Sequence, residues 1–553
     1  MSIVQRSRLV AWLLMLPGCL LAASCSTVDT GSGEDFIGPA TQRQAVQEAT
    51  RREALQQVHA ATQPATQPTG PVTVDLEGAV LMALENNRAL IVQRYNPPLE
   101  RTLVEQQLAA FDPNFAASFV FDRTRTAADN PLVGATRFQT YNTQLALSEF
   151  LPTGTTLALR GGTSISEFPL NPDDKFATNA GFAATQSLLR GFGTNVNYAS
   201  LRQARLDVLS SQYQLRGFAE SLVASTEEAY WDYALTLRQI EIVTQSLEVA
   251  QKQLDDTMER IRVGTVAQTE QAAAEAQVAL RREDLIDATS AMYRTRLNLM
   301  RLMSPDGATF GRDVVLQDVP AVPQVELEDP EPYIEVALRL RPDLNQARLQ
   351  VNRGDLEIVK TKNGLLPRLD LFVNLNRTGY SESFGQSISN LDKPNYELLA
   401  GATFSFPPLN RSARASYTNS VLARDQAIMA VSNLSQLVEA DVRAAFIEVR
   451  RTQAQVTATA ATRKLQEETL RAETERFQVG KSTTLLVGIA QRDLLSAQIA
   501  EVRAVVGFTK ALVELYRLNG SLLLRRDIAS PGDKAVEINA LDLRRYNPPP
   551  DEP

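Results

Sequence analysis

Glu259-Arg260-Ile261-Arg262-Val263-Gly264 recurs later in the chain as Glu475-Arg476-Phe477-Gln478-Val479-Gly480, and upstream Ala229-Tyr230 recurs at the same spacing as Ala445-Phe446. Each block closes a proline-free run, from about Asn195 to Arg262 and from about Ser412 to Gln478. At about 1.5 Å per residue, some 67 residues of helix reach roughly 100 Å. Val263-Gly264-Thr265 and Val479-Gly480-Lys481 then break the helices, because Gly readily takes the left-handed conformation of a helix C-cap. About 36 further residues return as helix on each side, ending near Met303 and Asn519, before Ser304-Pro305-Asp306-Gly307 and Gly520. The outgoing helix is about twice the returning one, so the returning arm stops halfway.

A second pair of anchors makes the duplication explicit. Val80-Leu81-Met82-Ala83-Leu84-Glu85-Asn86-Asn87-Arg88-Ala89-Leu90 recurs as Ile334-Glu335-Val336-Ala337-Leu338-Arg339-Leu340-Arg341-Pro342-Asp343-Leu344, and Ala110-Phe111-Asp112-Pro113 answers Gly364-Leu365-Leu366-Pro367. The two anchor pairs have different spacings, so the first half carries roughly 38 extra residues between Pro113 and Tyr230. Each repeat reads as short helix, strands, very long helix, turn, long helix. Phe115, Ala117, Phe119 and Phe121 share one face of a strand; so do Leu369, Leu371, Val373 and Leu375, with Phe372 breaking the pattern. The returning strand of the second repeat puts Leu398, Ala400, Ala402, Phe404 and Phe406 opposite Gly401, Thr403 and Ser405. One apolar and one small or polar face suit a strand between lipid and a wet lumen, and equally a half-buried strand of a soluble sheet. The extra residues hold a further alternating pair, Leu145/Leu147 and Leu157/Leu159, around Pro152-Thr153-Gly154, read here as an extended hairpin and not as a duplicated strand pair. The link from Phe310 to Pro332, with Pro320, Pro323 and Pro330, is expected near the helix midpoint.

Composition narrows the function classes. Of 553 residues, 44% are hydrophobic but only 6% aromatic, which favours long helices with thin, Ala-rich packing. The net charge of −8 comes without a basic block, so nucleic acid is not an expected partner. The single histidine, His59, falls outside both repeats, which removes His-based triads and metal sites, and neither Gly161-Gly162 nor Gly191-Phe192-Gly193 is followed by the Lys-Ser or Lys-Thr of a phosphate loop. An enzyme is not expected, and no cofactor or metal is.

Arg6 and Arg8 precede the apolar stretch Leu9 to Ala23, the pattern of a secretory signal too short to span a bilayer. Leu21-Ala22-Ala23-Ser24-Cys25 resembles a bacterial lipoprotein processing site with Cys25 as the lipid-bearing residue; Leu16-Pro17-Gly18-Cys19 is a poorer match, and an ordinary cut nearby is the competing reading. The expected division is 1–25 signal peptide, 26–72 disordered Thr/Gln/Pro spacer, 73–310 first repeat, 311–332 inter-repeat linker, 333–522 second repeat and 523–553 C-terminal tail. From Arg526 onward the tail is expected to be unstructured.

The two Val-Gly helix breaks, the paired Ala-Leu segments and the strand-to-helix joints Gln186-Ser187-Leu188-Leu189-Arg190-Gly191-Phe192-Gly193 and Phe406-Pro407-Pro408-Leu409-Asn410-Arg411 together resemble the TolC-like outer membrane efflux protein family, over roughly residues 73–522. The resemblance implies an α+β, mainly α protomer with very long α-helical hairpins forming an α-barrel. It also implies four membrane strands per protomer, with a homotrimer closing a twelve-stranded β-barrel in the outer membrane while the helices extend into the periplasm. Four strands cannot close alone, because open edges are not tolerated in lipid. Expected partners are outer-membrane lipid, a periplasmic adaptor (membrane fusion) protein and an inner-membrane pump or ABC transporter. The implied docking tips are Val263, Gly264, Thr265, Val479, Gly480 and Lys481.

One departure concerns the constriction. A tightly closing family member uses acidic residues just after the second Val-Gly turn, where this chain has Leu485-Leu486-Val487-Gly488-Ile489; the first repeat has Glu270. A ring of Leu486 or Ile489 gating by dewetting is one reading, and seam packing between helices the other. The rival to a channel is a lipid-anchored periplasmic coiled-coil scaffold or adaptor, which leaves alternating strands at equivalent points of both repeats unexplained.

Overall fold

The computed structural model describes residues 70–126, 136–168, 171–304, 310–325, 329–531 and 534–536. The signal segment, Cys25, His59, nearly all of the 26–72 spacer and the end of the tail lie outside them.

The first repeat opens with strand β1 (Val72–Val74) and helices α1 (Leu76–Asn86), α2 (Arg88–Arg94) and α3 (Asn96–Leu108). Asp75 caps α1 by accepting from Gly78 N at 2.9 Å, and Asn87 ends α1 while capping α2, so short polar side chains set these boundaries. Strands β2 (Asn114–Thr126), β3 (Thr136–Leu151), β4 (Thr155–Phe168) and β5 (Asn171–Ser187) follow. A single turn, α4 (Thr194–Asn197), leads into α5 (Ala199–Arg262, 64 residues), and α6 (Thr269–Met303, 35 residues) returns.

The linker contributes β6 (Val314–Leu316). The second repeat runs α7 (Glu331–Leu340), α8 (Pro342–Gly364), β7 (Arg368–Ser381), α9 (Phe384–Ser389), β8 (Tyr396–Ser405), α10 (Arg411–Gln478, 68 residues), α11 (Thr484–Leu518, 35 residues) and α12 (Leu522–Arg525). At about 1.5 Å per residue, α5 and α10 extend roughly 96 and 102 Å. The expected outgoing and returning lengths hold to within a few residues.

The fold class is as expected, but the strand count is not. Six strands, in the order β2-β3-β4-β5-β7-β8, form one antiparallel sheet, where four were expected. The surplus of the first repeat is indeed a hairpin turning at Pro152-Thr153-Gly154, yet its arms β3 and β4 are inner strands of the sheet. Sequence alternation fixes which face a residue takes, but says nothing about which strand it pairs with. Two boundaries also move. The spacer ends before Val72, because β1 pairs in parallel with β6, Val72 opposite Val314 and Val74 opposite Leu316. The tail is structured past Arg526, whose guanidinium holds the buried Glu227 carboxylate at 2.6 and 2.7 Å, and Val536 N donates to Asn345 Oδ1 at 2.9 Å.

The core lies at the midpoint of the long helices. Val80, Leu84 and Leu90 pack there with Val223, Ala229, Tyr230, Leu299, Met303, Val314 and Leu522. The second repeat builds the matching cluster from Ile334, Ala337, Ala445, Phe446, Phe508, Leu512 and Leu515. Two of the duplicated anchors, the segments at Val80 and Ile334 and the pairs Ala229-Tyr230 and Ala445-Phe446, therefore supply core residues. Tyr230 Oη donates to Asp318 Oδ2 at 3.0 Å and Tyr233 Oη to the Val314 carbonyl at 2.9 Å, fastening the linker at the expected midpoint.

Candidate channel wall and helix tips

Strand register sorts the sheet into two faces. One carries Phe115, Ala117, Phe119 and Phe121 beside Leu147, Leu145 and Tyr141, then Leu159, Phe182, Leu375 and Leu398 in a single row across the strands. Among the described side chains, charges interrupt this apolar face at Arg123, Glu149 and Arg377. The other face presents Ser118, Gln144, Gly162, Asn179, Thr378 and their neighbours, with a shallow concavity lined by Thr156, Arg160, Thr185, Arg368, Asp370 and Asn374. There Arg368 Nε bonds Asp370 Oδ2 at 2.6 Å, and Ser187 Oγ donates to Asp370 Oδ1 at 2.9 Å. Asp370 thus serves the base of the sheet. The strands have 10 to 17 residues, enough for the 9–11 or so that a tilted membrane strand needs. No helix among the described residues is long and apolar enough to cross a membrane.

The base of the sheet is tied to the helices beneath it. Asn197 Nδ2 donates to the Pro152 carbonyl at 2.8 Å and to the Gly191 carbonyl at 3.0 Å, and Ser187 N donates to the Gly154 carbonyl at 3.0 Å. Gly154 has φ +89°, and a Cβ there would sit 2.4 Å from the Gly191 carbonyl oxygen. Only glycine lets the β3–β4 turn seat against the joint that starts α5. Toward its far end the same apolar face is covered by α9, where Ser387 and Thr178 hydroxyls meet at 2.6 Å and Phe384 packs on Phe176.

At the opposite end the two turns have the same geometry. Gly264 (φ +79°) donates its N–H to the Ile261 carbonyl and Thr265 N to the Arg260 carbonyl at 2.9 Å; Gly480 (φ +74°) donates to Phe477 and Lys481 N to Arg476 at 2.8 Å. These paired bonds are a Schellman closure. Val263 and Val479 stand 66% and 68% exposed. One contact was not legible in the sequence: the Arg260 guanidinium lies 5.0 Å over the Phe477 ring, joining the two hairpins just inside their tips. Nothing in one chain's periodicity indicates that those two turns would lie side by side.

The constriction candidates lie near the starts of the two returning helices, Glu270 on α6 and Leu486 and Ile489 on α11. Leu486 and Ile489 are 47% and 36% exposed on α11, whereas their neighbour Val487 is buried; Glu270 is half-buried in the first turn of α6, and its Oε2 finds no hydrogen-bond partner among the described residues. Further along α5, Glu220 is buried beside Arg216, whose Nε lies 3.1 Å away and whose Nη2 donates to the Gly520 carbonyl at 2.9 Å. Desolvation pushes the Glu220 carboxyl up to about 7, against the opposing pull of Arg216. No cluster of metal-binding side chains occurs among the described residues.

The model of the outer membrane efflux protein family matches residues 80–304 and 333–521. Among solved structures, the Campylobacter jejuni CmeC outer membrane channel superposes with a TM-score of 0.61 at 16% identity, covering 81% of this chain and 86% of that one. The Vibrio cholerae outer membrane protein VceC gives 0.58 at 16%, covering 80% and 96%. The open state of the Neisseria gonorrhoeae MtrE outer membrane channel gives 0.58 at 18%, covering 81% and 89%. At these identities the likeness is one of fold. No curated protein matches the sequence.

Proposed function

The chain belongs to the outer membrane efflux protein family, and from that premise we propose that it is the exit duct of a tripartite efflux or type I secretion assembly. Its place is the outer membrane. Three copies pair the free edge of β8 on one protomer with β2 of the next, since an open edge in hydrocarbon leaves backbone groups unsatisfied at several kcal/mol each. The long helices reach into the periplasm. There the turns at Val263-Gly264-Thr265 and Val479-Gly480-Lys481 meet an adaptor, which couples the duct to an inner-membrane pump or ABC transporter. Cargo passes down its gradient through the duct, and the energy is spent at the inner membrane.

The observation that carries this reading is one sheet, apolar on one face and polar on the other, standing directly on helices of about 100 Å. A coiled-coil scaffold has no use for such a sheet. The test is single-channel conductance of the detergent-extracted protein in a planar bilayer, with its mass measured by light scattering on the same sample. Trimers that conduct are expected. A folded helical monomer that never inserts would instead mean a lipid-anchored scaffold.

A further inference from the structure

We propose that the β3–β4 hairpin is a pore-widening insertion: three protomers close an eighteen-stranded barrel, whose lumen admits a bulkier cargo, a large solute or an extended polymer, than a twelve-stranded barrel passes. This rests on the trimeric duct reading above.

Three observations place the hairpin in the wall. It is internal to the sheet, paired along its length with β2 on one side and β5 on the other. It also carries the same two-faced code as its neighbours. Leu145, Leu147, Leu157, Leu159 and Ile165 continue the apolar face, while Asn142, Gln144, Ser148, Thr156 and Ser164 continue the polar one. An appended hairpin lying on a surface would bury one of these faces against the protein, yet Leu145 and Leu159 stay open to the outside. Finally, its turn is built into the base, through Asn197 on the Pro152 carbonyl and Gly154 seated against Gly191.

The widths of the two layers agree. Each protomer presents four helices next to the sheet, α3, α5, α8 and α10, and four toward the tips, α5, α6, α10 and α11. Four helices at about 9.5 Å spacing form a layer about 38 Å wide. Six strands about 4.8 Å apart and tilted by about 40° occupy about 38 Å of barrel circumference, whereas four would occupy about 25 Å. The six-stranded sheet therefore sits on its helical layer without a taper. Closed three-fold, eighteen strands enclose a backbone cylinder about 36 Å across, against about 24 Å for twelve.

The test is polymer exclusion in planar bilayers, with poly(ethylene glycol)s of graded size added only on the barrel side, so that the helix tips do not set the cut-off. The full chain is compared with a variant lacking residues 136–168, which leaves β2 to pair antiparallel with β5. Two trimers whose exclusion radii differ by about 1.5-fold, the full chain larger, support the proposal. Trimers with equal cut-offs overturn it. Should the shortened chain fail to fold, axial views of the full-length trimer by electron cryo-microscopy decide the matter: eighteen strands support the insertion and twelve refute it. Dimers, or particles that never insert, would overturn the trimeric duct reading itself, an outcome that light scattering separates from the others.

Discussion

At Gly264 and Gly480 the backbone must reverse a helix in a left-handed conformation, φ +79° and +74°, which costs any residue with a Cβ about 1–2 kcal/mol. These glycines are explained by the turn alone; docking has to rest on the side chains around them. Glu220 makes a different demand. Its carboxyl titrates near 7 when folded and near 4.5 in an unfolded chain, so between those values the folded protein binds the extra proton. The group's contribution to stability is complete below about pH 4.5 and is lost as the pH rises to about 7. Arg216 and Arg517 pull the value down while burial and Asp343 push it up. In Glu220→Gln this pH dependence should vanish, so thermal midpoints of the two proteins should diverge between pH 5 and pH 7; parallel profiles would show that Glu220 stays ionised throughout.

At the scale of elements, two helical hairpins of unequal arms do most of the building. Their tips expose Val263 and Val479, which contribute nothing to the turn's hydrogen bonds through their side chains. The double substitution Val263→Asp and Val479→Asp places two carboxylates at helix C-termini and should therefore lower stability by about 1–2 kcal/mol at most, while export in cells falls because an apolar contact with the adaptor is replaced by charge. Export at the unsubstituted level would restrict the valines to helix reversal. The hairpins are also tied to one another, through Lys510 Nζ on Asp232 at 2.9 Å, Arg260 over Phe477, and the small cluster of Ile242, Val243 and Leu495. That packing is thin, as the low aromatic content leads one to expect. The structured start of the tail adds to it, because Arg526 neutralises a carboxylate that would otherwise be buried alone. Arg526, directly after Arg525 at the end of a short helix, gives no local signal of a partner 299 residues away.

At the scale of the whole molecule, what one protomer leaves unfinished points to its neighbours. Leu486 and Ile489 remain open to the outside, so packing inside the protomer does not account for them, and a ring of three Leu486 side chains is proposed to gate by dewetting. Leu486→Asp should then raise the time that single channels spend open. An unchanged record would place Leu486 in the seam between protomers. The same incompleteness explains the candidate site's uneven legibility. The tips were readable because helix reversal leaves a local signature, Val-Gly after a proline-free run. The channel wall was readable as faces but not as a number of strands.

The sequence by itself determined the duplication, the lengths of the four long helices, the turns that end them and the two-faced character of each strand. All of these depend on interactions within a few residues of one another: helix periodicity, glycine's access to positive φ, and alternation along a strand. Only the tertiary structure decided that β3 and β4 join the wall, that β1 pairs with β6 across the linker, that Arg526 serves Glu227, and that Arg260 meets Phe477. Each of those joins residues far apart in the chain, and the choice among partners is made by packing and by the closing of hydrogen bonds in space.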